Sequence, residues 1–393
     1  MSIHSSEELA FAGLKVLDVS QGLAGPYCAQ LLAQHGADVI KLEPAEGDWS
    51  RGIGTRHGSH SAIDLMANQG KKSLVLDMKQ PESVKAILRI AAQCDVMIEG
   101  FRPGVSAKLG MSYEQIKAVR PDIVYLSISG FGQTGPRAQQ PATDTVIQAF
   151  SGMMSLNAGT DAIPRKLGFL AVDTTTALYA YQALSTALYR RQRYGKGCYL
   201  DISLMQATAA FLAPKIIETF FEGESPAAIN VPAGVYQTQD GWIAITLSKE
   251  SHYAALCQAT GLEALATDPR FTSFVKRAPH AEYLQNEIAG VVRQQTTKAW
   301  LARFATFEVL ASTAHTLTQW LDDPQVVAAQ TARKFDDPEA GTVLLPAIPG
   351  APALQAGDRR AHWPRIGEHS NEILHSLGFS EQEIQVLTHP SHK

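Results

Sequence analysis

Leu14-Lys-Val-Leu-Asp-Val19, Gly22-Leu-Ala-Gly-Pro26 and Ala37-Asp-Val-Ile-Lys-Leu42 together decide the fold. The first run reads as a buried strand, the second as a turn leading into a helix over 26–34 that closes at Gly36, and the third as the next strand. Strand, glycine turn, helix and strand within about thirty residues form a βαβ unit, whose crossover is right-handed and whose strands are parallel. The glycines do not spell G-x-G-x-x-G, and Pro26 stands at the first helical position instead. A dinucleotide site of the usual kind is therefore disfavoured.

The alternation continues through Ser73-Leu-Val-Leu76, a helix over 81–93, strand Asp95-Val-Met-Ile-Glu99, a helix over 113–119 and strand Ile123-Val-Tyr-Leu-Ser127. Alternation this regular implies an α/β fold, a doubly wound parallel sheet with helices on both faces. Farther along, the apolar run Gly168-Phe-Leu-Ala-Val172 meets a helix that opens with Thr174-Thr175-Thr176, which sets Asp173 at a strand-to-helix junction. Such junctions are where α/β enzymes keep their chemistry. Asp is also a favoured N-cap, and the two roles are compatible because a helix N-terminus keeps a carboxylate ionised. That helix carries Ala177, Tyr181, Leu184 and Leu188 on one face, then gives way to Gly195-Lys-Gly197, a strand over 198–203 and a helix over 204–221.

Residues 222–232 hold Gly, Ser, Pro and Asn and read as a crossing linker. Beyond them, a hairpin pattern over 235–246 turns at Asp240-Gly241, and helices follow over 251–260, 281–293 and 298–304. Three segments are expected: 1–222 as the first part of a large domain, 223–330 as linker and smaller α+β domain, and 331–393 as a tail. The tail, with a strand region over 344–349 and a helix over 371–377, is too short to fold alone and should dock on the large domain. A chain of 393 residues exceeds what one core spans, so more than one folding unit is the prior.

Apolar residues at 45% and charged residues at 18% are ordinary for a soluble globular protein. A net charge of −4 offers no basic excess for a nucleic-acid backbone. Cys28, Cys94, Cys198 and Cys257 lie far apart without a C-x-x-C pair, which argues against a zinc ribbon and a disulfide scaffold and fits a reducing cytoplasm. Neither a signal-peptide pattern nor an apolar run of about 18 residues is present, so a cytoplasmic protein is expected.

Three segments concentrate candidate chemistry. Asn68-Gln-Gly-Lys71-Lys72-Ser73, with Lys79 beyond, puts lysines on both sides of a short strand, although flanking lysines are commonly just solvated. Gly100-Phe101-Arg102-Pro103-Gly104, with Lys108, follows a strand end, a plausible place for a phosphate-bearing ligand. Ser127-Ile-Ser-Gly130-Phe131-Gly132-Gln133 supplies mobile backbone N–H groups that an oxyanion or thioester carbonyl would need, and a plain turn explains it equally well. Asp144 reads as another N-cap. No H-E-x-x-H, G-x-S-x-G, P-loop or Cys/His metal spacing occurs, so no metal site is expected. What remains suits nucleophilic carboxylate chemistry on an anionic activated substrate.

Taken in order, these segments closely resemble the class III CoA-transferase (CaiB/BaiF) family, which includes formyl-CoA:oxalate and carnitine CoA-transferases. The resemblance runs from Leu14-Lys-Val-Leu-Asp and Ala24-Gly-Pro26 through Gly36-Ala-Asp-Val-Ile-Lys-Leu-Glu43, Gly47-Asp48, Arg51 and Phe101-Arg-Pro-Gly104. It continues through Ser129-Gly-Phe-Gly132, Asp144, Gln148-Ala149, Ser151-Gly152 and Gly195-Lys-Gly197 to Pro364-Arg-Ile-Gly-Glu-His369. No single piece is specific; their order and spacing are. The resemblance implies that Asp173 is the nucleophile, forming an aspartyl mixed anhydride and then an aspartyl-CoA thioester as CoA passes from an acyl-CoA to a free carboxylic acid. Such an Asp, with an ordinary pKa of about 3.9, would be ionised at neutral pH without a general base.

It further implies CoA contacts from Leu23, Ala24, Leu76, Lys79, Gly100, Phe101, Arg102 and Lys108, the last standing where many members have Arg. Asp144 matches an acidic position near the reacting carboxylate; with Asp173 and Asp144, Gly132 of the glycine loop over 127–136 is the third catalytic candidate, its main chain open to close approach by a thioester carbonyl. CoA is substrate here, and no permanently bound cofactor is implied. The implied architecture is an interlocked homodimer, each chain a Rossmann-like large domain, a small domain and two linkers. The α-methylacyl-CoA racemases of the same family pair this Asp with a His directly before the position of Asp144. Thr143 stands there in this chain, and a hydroxyl cannot shuttle protons near neutral pH. Racemase and non-catalytic acyl-CoA binder are the alternatives. Arg102, Arg137 and Arg165 are candidates for reading a second carboxylate, which would point to a dicarboxylate; each reads equally as a solvated residue.

Overall fold

Six short strands form one parallel sheet in the computed structural model, which describes residues 9–78, 80–159, 161–224, 228–355 and 357–388. They are β1 (Lys15–Asp18), β2 (Asp38–Glu43), β3 (Lys72–Val75), β4 (Val96–Glu99), β5 (Val124–Ser129) and β6 (Cys198–Ser203). Their order across the sheet is β3-β2-β1-β4-β5-β6, all neighbours parallel. Strands buried on both faces, as β4 and β5 are, need no polar alternation, whereas the edge strand β6 alternates part-buried and exposed residues.

Side chains alternate to the two faces. Val16, Ile98, Val124 and Leu126 pack under α1 (Ala24–Gln34) and α5 (Ala171–Tyr194). Leu17, Met97 and Tyr125 pack on the other side, against α2 (Pro81–Ala91), α3 (Tyr113–Val119) and the tail helices α11 (Ser370–Ser376) and α12 (Glu381–Thr388). Helix α12 is absent from the sequence reading. Contacts divide the chain into two units: one runs to Ala213 and resumes at Ala332, and the other is Pro214–Thr331.

The tail closes the open edge of the sheet at β3. His369 N donates to Ser73 O at 3.0 Å, Gly367 N to Ser73 Oγ at 2.8 Å, and Val75 N to Ser370 Oγ at 3.0 Å. An exposed strand edge would otherwise template aggregation. The second unit has its own core. Antiparallel strands β7 (Gly234–Gln237), β8 (Trp242–Thr246) and β9 (Leu310–Thr313) pack with α8 (Glu250–Thr260), α9 (Ala281–Val292) and α10 (Thr297–Thr306) around Leu256, Leu284 and Trp300.

Two expectations fail locally. The apolar run 168–172 is not a strand: Ala171 and Val172 are buried in the first turn of α5, whereas Phe169 is 64% exposed. A short apolar run fits a buried helix start as well as a strand, and periodicity cannot separate them. The helix expected over 204–221 is two, α6 (Leu204–Phe211) and α7 (Ala213–Glu222). Pro214 cannot donate the N–H that would continue the first into the second.

Candidate active site

Between β1 and β4 the strand order reverses, and the crevice outside their carboxyl ends is where open α/β sheets bind ligands. A cavity of about 440 Å³ opens there. Residues 19–21 leaving β1, 23–25 opening α1, 100–103 leaving β4 and 128–130 ending β5 line it, with Trp49, Thr143 and Asp173. Asp173 thus shares a cleft with Leu23, Ala24, Gly100, Phe101 and Arg102, although these come from three distant parts of the chain. Of the three arginine candidates, Arg102 is the one that lines this cleft; Arg137 stacks 4.9 Å over Phe150 and Arg165 pairs with Asp161 on the surface.

Asp173 is the third residue of α5, not its cap: the N-cap is Leu170, without a side-chain bond. Nor does Asp144 cap its own helix, α4 (Asp144–Phe150), whose N-cap is Thr143. Asp144 is 3% exposed, and its Oδ2 accepts from Val172 N at 2.8 Å and Asp173 N at 3.2 Å. One helix therefore caps another, meeting the free donors at the start of α5. Gln148, one turn along α4, donates from Nε2 to Asp144 Oδ1 at 2.5 Å and accepts from Leu167 N at 2.9 Å, which fixes the approach to α5.

This arrangement reverses the expected electrostatics. The positive end of α5 is taken up by Asp144, so Asp173 is left beside a like charge. Burial first, and the Asp144 carboxylate second, push Asp173 up to about 7. The expectation of an ordinary, fully ionised aspartate is corrected accordingly: near neutral pH it is about half ionised.

Other expected residues lie elsewhere. Gly132 has φ +95, which only glycine adopts without strain, and its N–H donates to Ser129 Oγ at 3.1 Å within its own loop. Leu76 is fully buried in the core. Lys108 is exposed at the end of the short helix Val105–Lys108. Lys79 lies outside the described residues.

A buried ionic network behind the cleft escaped the sequence reading. Lys41 Nζ meets Asp48 Oδ2 at 2.8 Å, Lys71 Nζ meets Asp18 Oδ2 at 2.8 Å, and Arg51 grips Glu43 through two bonds of 2.9 Å; all six are at most 3% exposed. Burial alone would raise Asp18 and Asp48, but the lysines outweigh it and hold both below the usual carboxylate range. Lys71 is lowered to about 8 by burial, against the pull of Asp18.

The network positions the cleft wall. Lys41 also donates to Ser20 O, and Gly22 N donates to Asp48 Oδ1 at 3.0 Å, so the β1-to-α1 turn is tied down at both ends. Gly22 has φ +86, and a Cβ there would lie 2.4 Å from Trp49 Cζ2. Charges inside otherwise apolar strands, at Asp18, Lys41 and Glu43, were the available signal.

Burial raises all four cysteine thiols, so none is a ready nucleophile. The one His/carboxylate cluster of metal-binding size among the described residues is His362, Glu368 and His369. His369 Nδ1 accepts Ser73 N at 3.3 Å, which leaves the proton on its Nε2 and no lone pair there for a metal.

Comparison with known proteins agrees across the chain. The profile described as CoA-transferase family III matches residues 11–370. The chain is 31% identical over 386 residues to succinyl-CoA–D-citramalate CoA-transferase of Chloroflexus aurantiacus, covering 95% of this chain and 96% of that protein. It is 32% identical over 384 residues to succinate–glutarate CoA-transferase of Agrobacterium fabrum, covering 93% and 95%. Among solved structures, a CaiB/BaiF family protein from Brucella suis superposes with a TM-score of 0.80 at 30% identity, covering 94% of this chain and 99% of that one.

Proposed function

The chain belongs to CoA-transferase family III and is a CoA-transferase, and from that premise we propose that it moves CoA from an acyl-CoA donor to a free dicarboxylic acid through covalent intermediates on Asp173. The observation that carries this reading is the position of Asp173 in the switch-point cleft, among residues 23–25 and 100–103. A half-ionised, partly desolvated carboxylate is a stronger nucleophile than a hydrated one, and the cleft holds it facing its substrate.

The chemistry balances without a base or an oxidant. An Asp173 oxygen attacks the thioester carbonyl, the C–S bond breaks, and CoA thiolate leaves behind a mixed anhydride. The thiolate then attacks the aspartyl carbonyl and releases the donor acid, which makes an aspartyl-CoA thioester. The acceptor carboxylate attacks that thioester, forms a second anhydride and frees the thiolate again. Attack of the thiolate on the acceptor acyl carbon yields the new acyl-CoA and restores Asp173.

A dicarboxylate acceptor is supported by the names of the relatives and by Arg102, a cation in the cleft suited to a second carboxylate. Racemisation has less support, because Thr143 and not His stands beside Asp144 and no histidine lines the cleft among the described residues. No permanent cofactor enters this scheme, and a cytoplasmic location suits a CoA substrate. An interlocked homodimer is part of the proposal. Helix α7 buries none of its residues yet exposes Ile216, Ile217, Phe220 and Phe221, with Phe220 at 81%, a surface suited to a partner chain.

The test is to incubate the protein with succinyl-CoA and glutarate, following glutaryl-CoA by chromatography and the quenched protein by mass. Acceptor-dependent transfer, a CoA adduct on the peptide containing Asp173, and loss of both in Asp173→Ala are expected. Solvent deuterium entering the α-carbon of a 2-methylacyl-CoA without any acceptor would instead establish racemisation.

A further inference from the structure

Glu99, the last residue of β4, is a buried carboxylate that the transfer chemistry leaves unused. It is 3% exposed, yet no cation pairs with it among the described residues, whereas Asp18, Glu43 and Asp48 each face a lysine or an arginine. Burial raises Glu99 above the ordinary carboxylate range, and the Asp201 carboxylate adds to that; the Ser127 hydroxyl and the Phe101 N–H pull the other way without cancelling it. Ionising such a group in the interior costs stability, and groups of this kind concentrate at functional sites.

What Glu99 holds is a wall of the cleft. Its Oε2 accepts from Phe101 N at 2.7 Å, and residues 100–103 line the cleft with Asp173. The pairing of β4 with β5 ends at Glu99, so the chain beyond it has no strand partner to set its path. The carboxylate takes that place, and an ionised acceptor makes a bond roughly twice as strong as a neutral one.

Beside Glu99 stands Ser127. The two are paired in the register of β4 and β5, on the face that carries Met97 and Tyr125. Ser127 Oγ accepts from Gln133 Nε2 at 3.0 Å, and Gln133 belongs to the loop that leaves β5 through Ser129 and Gly130, two more residues lining the cleft. Neither Glu99 nor Ser127 lines the cleft itself. The pair therefore anchors two cleft loops from outside the space that a substrate would fill.

We propose that Glu99 is a positioning residue for acyl-CoA: without touching the substrate, it fixes through Phe101 the loop that receives it. This role rests on the cleft being the site of CoA, and a Phe101 variant tests that premise separately. CoA is titrated by calorimetry into the full-length enzyme and into Glu99→Leu, Glu99→Gln and Phe101→Ala, with urea unfolding of each at pH 8. Glu99→Leu removes the acceptor of Phe101 N and should weaken CoA about tenfold or more. Glu99→Gln keeps a neutral acceptor, beside a Ser127 hydroxyl able to accept as well as donate, and should weaken CoA about threefold. KM for succinyl-CoA should rise in the same order while kcat holds within about twofold, the pattern of lost ground-state binding.

Glu99→Leu leaves a main-chain donor without its acceptor and could fold poorly, so Glu99→Gln provides the second reading. It removes a buried charge, and its urea midpoint should be no lower than that of the unaltered enzyme even as its CoA affinity falls. A group kept only for stability would show the reverse: a lower midpoint with CoA affinity intact. That result, or unchanged CoA affinity in either Glu99 variant, would overturn the proposal. If Phe101→Ala then still weakens CoA, the cleft keeps its assignment and the positioning role alone falls; if Phe101→Ala binds CoA normally, both fall.

Discussion

Replacing Asp144 with asparagine removes the charge that Asp144 places beside the nucleophile. Asparagine retains an oxygen to accept from Val172 N and Asp173 N, so the capping of α5 survives, while its amide nitrogen meets Gln148 Nε2 donor to donor and that one hydrogen bond is lost with the charge. In the unaltered enzyme Asp173 stands near 7, raised first by burial and then by Asp144. Only its ionised form attacks, so kcat/KM for the acyl-CoA donor should fall on the acid side with a midpoint near pH 7. With that midpoint, the ionised fraction drops about tenfold between pH 8 and pH 6.

Removing the like charge lowers the Asp173 pKa, but burial, the larger cause, stays. The acid limb of Asp144→Asn should therefore move down by about one unit, equivalent to about 1.4 kcal/mol, and should not reach the ordinary value. At pH 6 the variant would then retain several times more of its own plateau rate than the unaltered enzyme does. The assay is initial-rate CoA transfer at limiting acyl-CoA from pH 5 to pH 9, with circular dichroism at each pH to exclude unfolding. An unaltered-enzyme midpoint near pH 4, or a limb that Asp144→Asn leaves in place, would refute the electrostatic account.

Three further outcomes follow from the same geometry. Asp173→Asn should stabilise the fold at pH 8 by up to about 4 kcal/mol, because a carboxyl raised by about three units costs about 1.4 kcal/mol per unit once ionised. The folded pKa lies above the unfolded one, so the native state holds the extra proton and loses stability as pH rises from about 4 to about 7; urea midpoints for the two proteins should converge at pH 4. Lys71→Met strands Asp18 in the interior with Lys41 4.0 Å away, and thermal or urea unfolding should show a loss of about 3–5 kcal/mol. Gly22→Ala forces Trp49 aside and strains a left-handed backbone, so donor kcat/KM should fall, and adding Trp49→Ala should recover part of that loss in a double-mutant cycle.

Much of the fold was legible because short strand-like runs alternate with glycine turns and helical periods, and β1, α1, β2, β4, α3 and β6 all lie where the pattern put them, within a few residues. The run 168–172 misled because five apolar residues carry too little period to distinguish a strand from the first turn of a buried helix. Asp173 was legible as a reactive candidate from its place before a long helix. Its partner Asp144 was legible as an N-cap candidate and, by resemblance, as an acidic position near the reacting carboxylate, but nothing in the spacing of 29 positions says that its oxygen accepts the Asp173 N–H.

The sequence by itself therefore determined the order of elements and, through short local motifs read in series, the family; these depend on periodicity and turn chemistry, which are properties of neighbouring residues. Tertiary structure alone decided three things: that Asp144 caps the helix of Asp173, that burial beside Asp144 lifts Asp173 to about 7, and that Lys41, Asp48, Lys71 and Asp18 bind the cleft wall from beneath. Each is a matter of distance and dielectric between residues far apart in the chain, and Coulomb energies depend on those two quantities and not on position along the sequence.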